Sequence, residues 1–219
     1  MPRNRILLLC LTLAPLGLAA EPRALAVQVI DSQSNKPVAD AMVMIDGGRT
    51  AEPSSFEMAQ KNRQFQPGAL VIPRGSEVNF PNLDSTQHHV YSFSPAKTFD
   101  LELFADQPDA PVVFDKTGVV EVGCNIHDQM QGFIIVTESA LTARTDDSGL
   151  ATISLPSGFI SAEELSVSIW HPRLANTNRT ANFTVSSLAP DPPELTLDLE
   201  PESRQPGRLD GLQKRFRDL

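Results

Sequence analysis

The feature of this sequence that most restricts its fold is a run of short apolar segments separated by turn residues. The segments span residues 65–72, 77–80, 88–93, 97–103, 111–114, 119–123 and 132–136. Turn sequences such as PRG and DKTG lie between them. Strands this short and this closely spaced predict an antiparallel sandwich, and 18 Pro and 12 Gly residues fit that class better than a helical bundle.

Segments of the same kind lie on both sides of this run. Residues 25–29 and 41–45 alternate around DSQSNKP, which predicts a hairpin, and residues 47–55 predict a loop. After Thr137, alternating segments occur at 150–155, 165–169, 183–185 and 195–199. We therefore expect an all-β chain with a second, smaller β unit.

The amino terminus has the pattern of an export signal. Arg3 and Arg5 precede an apolar stretch at 6–18, and the small-residue sequence GLAA follows. Residues 1–20 are therefore predicted to be removed. The apolar stretch is too short for a comfortable membrane span and no later one is longer, so we expect a soluble protein in the periplasm.

The charge and the cysteine content limit which partners and which thiol chemistry are expected. Without Arg3 and Arg5, 16 basic residues face 27 acidic ones, a formal charge of −11, which argues against a nucleic-acid partner. Cys10 leaves with the signal, so Cys124 becomes the one remaining thiol. A lone thiol in an oxidising compartment cannot form an internal disulfide, and it is expected to be buried or bound to a metal.

Cys124 begins the most informative motif, Cys-x2-His-x2-Met, with His127 and Met130. Each residue taken alone also fits a core or surface role. Together, a thiolate, an imidazole and a thioether within one loop suit few metals, and copper is the first candidate. A type 1 copper site needs a second imidazole, and either His88 or His89 offers it.

The segment from about residue 65 to 136 resembles the cupredoxins, the small blue copper proteins of the plastocyanin, pseudoazurin and amicyanin type. The first half of the pattern is carried by Phe65, Pro67, Leu70, Ile72, Pro73, Gly75, Val78, Phe80 and Asn82. The second half is carried by Val112, Phe114, Gly118, Cys124, His127, Met130, Gly132, Ile134 and Val136. The resemblance implies a Greek-key β-sandwich with one type 1 site that cycles between Cu(I) and Cu(II). The whole chain looks most like exported cupredoxin-like proteins that are often labelled methylamine utilization proteins.

The resemblance also implies a role for each histidine of the pair. His88-His89-Val90 aligns with the family's His-Asn-Val, which makes His88 the ligand, with Cys124, His127 and Met130. His89 then takes the place of the Asn that braces the cysteine loop, and Asn82 is expected to support the site as well. The chain departs from amicyanin at Asp128 and Gln129, where amicyanin-like loops carry Pro and an aromatic residue.

The flanking segments resemble the carboxypeptidase regulatory-like β-sandwich through DSQSNKPVADAMVMI and TDDSGLATISLPSG. The resemblance suggests a cupredoxin domain at 51–137 inserted into a sandwich made of 21–50 and 138–200, followed by a flexible or short helical tail at 201–219. In the alternative arrangement, residues 21–50 are the first strands of the cupredoxin itself. His171, between Trp170 and Pro172, is expected to be a packed or hydrogen-bonded residue and no ligand.

The expected function is that of a one-electron carrier with a protein redox partner in the periplasm. Two alternatives stay open: a copper-binding or delivery protein without a redox partner, and an adhesion or scaffold module. An enzyme is not expected, because Gly123 and Asn125 flank Cys124 where copper oxidases and nitrite reductases carry a His that leads to a second copper centre.

Overall fold

The computed structural model describes residues 23–47, 50–127, 129–156, 159, 163–186 and 191–201. The predicted export segment and the predicted tail from residue 202 onward lie outside the described residues. Within these ranges, no helical segment has the length and apolar character needed to cross a bilayer. The regular elements are strands, so the expected all-β class is confirmed.

In chain order the strands are β1 (Arg23–Asp31), β2 (Met42–Ile45), β3 (Ser55–Glu57), β4 (Ala59–Lys61), β5 (Gln64–Gln66), β6 (Ala69–Pro73), β7 (Glu77–Asn79), β8 (His88–Ser94), β9 (Lys97–Phe104), β10 (Val112–Val113), β11 (Gly118–Cys124), β12 (Gln131–Thr137), β13 (Thr142–Arg144), β14 (Leu150–Leu155), β15 (Glu164–Trp170), β16 (Ala181–Ser186) and β17 (Glu194–Leu197). They form two sandwiches.

The flanking sandwich contains β1, β2 and β13 to β17, which come from both ends of the described chain. One sheet has the order β14-β1-β17 and the other the order β13-β2-β15-β16. Burial alternates along β14 and β15, so one face of each strand enters a common core. The fully buried members of that core are all aliphatic, for example Val27, Ile153 and Val167.

The predicted hairpin of residues 25–29 and 41–45 is wrong. The first strand, β1, pairs antiparallel with β14 and parallel with β17, whereas β2 pairs with β13 and β15 in the opposite sheet. The turn between them carries the chain across the core, where Val38 is buried. Alternation was a poor guide because it reports which face of a strand is buried and not which strand lies beside it.

The inserted sandwich contains β3 to β12 and lies between β2 and β13 in the chain. Its larger sheet has the order β6-β12-β11-β8-β9, and a smaller sheet has the order β10-β7-β3. The predicted strand 65–72 is interrupted, because Pro67 has no N–H to continue a ladder, and two strands, β5 and β6, take its place. The remaining strands of this run lie within a few residues of their predicted positions.

The two sandwiches share an apolar contact. Met42, Met44 and Trp170 of the flanking sandwich pack with Val119, Phe133 and Ile135 from the outer face of the larger sheet. The Phe133 and Trp170 ring centroids lie 4.8 Å apart. The two connecting segments run side by side, since Thr50 and Ser139 form an antiparallel bridge. This contact covers part of the outer face of the larger sheet.

Candidate metal centre

Cys124 is the last residue of β11 and lies at the base of the centre. It is a buried free thiol that belongs to the same core cluster as Val122 and Val120, which lie two and four residues earlier on the same face of the strand. The motif therefore starts where the apolar alternation of a central strand brings a thiol into the core.

The loop that follows is short and closed by backbone hydrogen bonds. The Cys124 N–H donates to the Met130 carbonyl at 3.2 Å, and the Met130 N–H donates to the His127 carbonyl at 2.9 Å. Met130 is buried in the core cluster that holds Cys124, and His127 is half-buried. The loop thus turns the thioether inward and keeps the imidazole at the edge.

His88 comes to the same place from β8. Its Nδ1 lies 3.7 Å from the Cys124 Sγ, and the His127 Nδ1 lies 3.5 Å from that sulfur. The ligand atoms of these three residues all lie within 4.8 Å of one another. His88 is fully buried, whereas the half-buried His127 is the outer member of the group.

The chemistry of this donor set fits copper. One thiolate and two imidazoles are the three ligands of a type 1 site, and a methionine thioether is its weak fourth contact. Cys124, His88 and His127 supply the first three, and Met130 is packed beside Cys124. Within the part of the chain that the structure describes, this is the one group of at least three His, Cys, Asp or Glu residues that is close enough to hold a metal ion.

Asp84 is a member of the site that sequence reasoning missed. Its Oδ2 lies 2.9 Å from the His88 Nε2, on the side of the ring opposite Cys124. Burial raises the pKa of the Asp84 carboxyl, but hydrogen bonds from the Arg63 and Asn62 N–H groups and from His88 outweigh it, so the pKa lies below its usual value. A carboxylate four residues before a histidine is a weak signal on its own, because the loop between them can take many shapes.

Of the two residues expected to support the site, His89 does so through its backbone instead of its side chain, and Asn82 does so through Asp84. The His89 side chain pairs with Asp100 on β9 and not with the cysteine loop. The loop is held instead by the His89 backbone carbonyl, which accepts the Asn125 N–H at 3.2 Å. Asn82 touches no ligand directly, but its Oδ1 accepts the Asp84 N–H at 2.9 Å. The difference at His89 arises because adjacent strand side chains point to opposite faces of the sheet.

The rim of the centre is partly apolar. Ile126 is exposed beside His127, and Leu83 is exposed beside Asp84.

Burial lowers the pKa of His127, the nearby His88 and Arg63 lower it further, and Asp84 acts in the opposite direction. Asp128, the sequence departure beside this edge, lies outside the described residues.

His171 lies in the flanking sandwich and takes no part in the centre. It is buried, and its Nδ1 accepts the Arg173 N–H at 3.2 Å. Burial, followed by the nearby Arg173, lowers its pKa from 6.5 to about 4. The structure therefore places it as a packed, hydrogen-bonded residue, as the sequence suggests.

No protein-family model and no curated protein sequence matches the chain. Among solved structures, a pseudoazurin from Sinorhizobium is 21% identical, with a TM-score of 0.32, over 40% of this chain and 76% of its own. A Cu-containing nitrite reductase from Thermus scotoductus is 25% identical, with a TM-score of 0.37, over 50% of this chain and 27% of its own. A purple cupredoxin from Nitrosopumilus maritimus is 24% identical, with a TM-score of 0.31, over 38% of this chain and 99% of its own.

The three similar structures each cover half of this chain or less. The interpretation of the site as a copper centre rests on the chain's own ligand cluster. The resemblance of the flanking segments to carboxypeptidase regulatory-like proteins stays a prediction, as does the methylamine utilization label.

Proposed function

We propose that this protein is a type 1 copper protein that carries single electrons in the periplasm. The observation that carries the proposal is the convergence of His88, Cys124 and His127 ligand atoms within 4.8 Å at one end of a cupredoxin-type sandwich. Bound copper would supply a centre that alternates between Cu(I) and Cu(II). The donor set, with Met130 packed beside it, is one that suits both oxidation states.

The surrounding chain favours a carrier because it holds the ligands still. Cys124 lies on a central strand, and backbone hydrogen bonds close the loop to Met130. Ligands that are held in place by the fold need to move little when the charge of a centre changes, which suits rapid transfer. The half-buried His127 is the ligand nearest the rim, and we propose it as the point where the electron enters and leaves.

The proposed partner is another exported redox protein. Exposed Ile126 and Leu83 beside the centre provide a small apolar contact, and the formal charge of −11 without the export segment favours a partner with a basic surface. Export itself is proposed from the signal pattern of residues 1–20. We propose no catalytic step, because the neighbours of Cys124 in the chain are Gly123 and Asn125 and offer no ligand to a second copper centre.

A copper-delivery role makes a different demand on the site. A delivery protein has to release its metal, and a site whose His88, Cys124 and Met130 are all buried is poorly suited to rapid release. The two functions can therefore be separated by kinetics.

The test begins with purified protein that has been loaded with Cu(II). We expect an intense thiolate-to-copper band in the visible spectrum, reversible one-electron reduction in voltammetry, and electron exchange with a small redox reagent that is much faster than copper loss to a chelator. A colourless copper complex would overturn the type 1 assignment. Copper transfer to the chelator that is faster than electron exchange would favour delivery and overturn the carrier role.

A further inference from the structure

We propose that Asp84 is a positioning residue, which fixes the His88 ring with its Nδ1 toward Cys124 before any metal arrives. The inference deepens the proposed function and rests on it for its meaning, since it concerns how one ligand of the copper site is prepared. It is carried by the hydrogen bonds around a single, partly buried carboxylate.

The two nitrogens of the His88 ring have different partners. Nε2 lies 2.9 Å from the Asp84 Oδ2, and Nδ1 lies 3.7 Å from the Cys124 Sγ. An ionised carboxylate only accepts hydrogen bonds, so the neutral ring must carry its proton on Nε2. This tautomer leaves the Nδ1 lone pair free and pointed at the thiol, which is the form a metal ion needs.

Asp84 is itself held by the turn between β4 and β5. Its Oδ1 accepts the Asn62 N–H at 2.6 Å, and its Oδ2 accepts the Arg63 N–H at 2.9 Å. Asn62 and Arg63 both have φ of +56°, a conformation that non-glycine residues rarely adopt. Two consecutive left-handed residues aim successive N–H groups at one point, so two backbone donors hold the carboxylate in addition to the histidine.

A third contact fixes the loop that carries Asp84. The Asn82 Oδ1 accepts the Asp84 N–H, and the Asn82 amide donates to the carbonyls of Thr86 at 2.7 Å and Ala105 at 2.8 Å. The loop before His88 is thereby tied to the residue that follows β9. The orientation of the ring thus depends on the β4–β5 turn, the loop and the end of β9 together.

Two consequences follow for a bound copper ion. A ring that is already oriented loses little freedom when it binds metal, so Asp84 should strengthen copper binding. A carboxylate on the distal N–H also makes the imidazole a stronger donor, which favours Cu(II) over Cu(I) and lowers the reduction potential.

The neighbouring histidine offers a matched control. His89 pairs with Asp100 through the same two groups, one residue further along β8. The Asp100 side chain is 56% exposed, whereas that of Asp84 is 14% exposed. Replacing either Asp removes one carboxylate from one histidine, but only Asp84 contacts the proposed ligand.

The experiment compares Asp84→Ala, Asp84→Asn and Asp100→Asn in the full mature chain. Long-range proton–nitrogen NMR of the metal-free protein at about pH 8, where an ordinary histidine is neutral, reports the tautomer of each ring. We expect one Nε2–H tautomer for His88 in the parent and in Asp100→Asn. Both Asp84 variants should show a mixture, and Asp84→Asn, which has the same shape as the parent, covers the case in which Asp84→Ala fails to fold.

The copper measurements give the second readout. Competition with a Cu(I) chelator should show that the Asp84 variants bind copper roughly 10 to 100-fold more weakly. Voltammetry should show a raised reduction potential in the same variants. Asp100→Asn should change the affinity by less than about twofold, as for an exposed pair. A single Nε2–H tautomer in both Asp84 variants, or equal losses of affinity at Asp84 and Asp100, would overturn the inference. A fixed tautomer in a parent protein that gives no blue copper complex would overturn the proposed function and leave this inference standing.

Discussion

Two buried polar sites, one in each sandwich, have partners of different kinds. In the flanking sandwich, Thr145 donates to the Val38 carbonyl at 2.7 Å and accepts the Ala41 N–H at 2.8 Å, so its hydroxyl is satisfied by backbone groups. In the inserted sandwich, the buried His88 and Cys124 face each other. Burying polar groups costs free energy unless they are partnered. The hydrogen bonds of Thr145 stabilise the fold. The facing donor atoms of His88 and Cys124 are the arrangement expected where a metal ion binds.

The largest expected effect is the loss of the copper centre on replacing Cys124. In Cys124→Ser the intense visible band should disappear completely, because the thiolate is the source of the charge-transfer transition. Copper at about 100 times its dissociation constant should stabilise the parent by about 2.7 kcal/mol and the variant by much less. Visible spectra and thermal unfolding with and without copper measure both.

Thr145→Val is the matched change in the flanking sandwich. It leaves two backbone groups without a partner and should cost about 1–3 kcal/mol of stability. The copper band should be unchanged. A coloured Cys124→Ser protein, or a colourless Thr145→Val protein that is still folded, would break the distinction between the two sandwiches.

The next effect separates the two adjacent histidines. His88→Ala should abolish or severely shift the copper band, because it removes one of the three atoms that converge on the centre. His89→Ala should keep the band, because that side chain pairs with Asp100. Visible and electron paramagnetic resonance spectra of the copper-loaded variants measure this. The reverse result would mean that β8 presents the other face to the centre.

The contact between the sandwiches is tested by Trp170→Ala. Trp170 is fully buried against Phe133, and its Nε1–H donates to the Thr177 carbonyl at 2.8 Å. Truncation of a buried Trp should cost about 3–5 kcal/mol, measured by urea unfolding, with little change in the copper spectrum of the folded protein. Leu103→Ala, at a 52% exposed position, should change stability by less than about 0.5 kcal/mol. Equal losses in the two variants would contradict a tightly packed contact.

The last effect is a pH dependence in the flanking sandwich. The pKa of His171 is about 4 in the folded protein against 6.5 in the unfolded chain, so between these values the unfolded state binds more protons. Stability from this group is therefore complete above pH 6.5 and is lost as the pH falls through about 4. At about 1.4 kcal/mol for each pKa unit, the loss is on the order of 3 kcal/mol.

His171→Gln should remove this part of the acid sensitivity, whereas His89→Gln, at a partly exposed position, should keep it. The measurement is urea unfolding of the metal-free proteins at about pH 7 and at about pH 4.5. These two pH values span most of the range over which His171 changes the stability. Identical pH dependence in His171→Gln and the parent would show that the buried ring does not control this window.

Local features of the sequence were enough to predict much of this chain. Alternating apolar residues located most strands, because alternation follows from the two-residue period of an extended backbone. Cys-x2-His-x2-Met placed Cys124, His127 and Met130 in one loop, because residues this close in sequence have to lie close in space. The same reasoning identified the pair His88-His89 as the source of a further imidazole.

What the sequence could not settle depends on residues that are far apart in the chain. The pairing of β1 with β14 and β17, and of β2 with β13 and β15, joins segments that one alternation pattern cannot distinguish. Only the register of β8 turns His88 inward and His89 toward Asp100. Only the β4–β5 turn gives Asp84 its anchor behind His88. Sequence determined which chemical groups are present and which face of each strand is apolar, and tertiary structure decided which groups meet, because direction and distance between remote segments are set by packing of the whole chain.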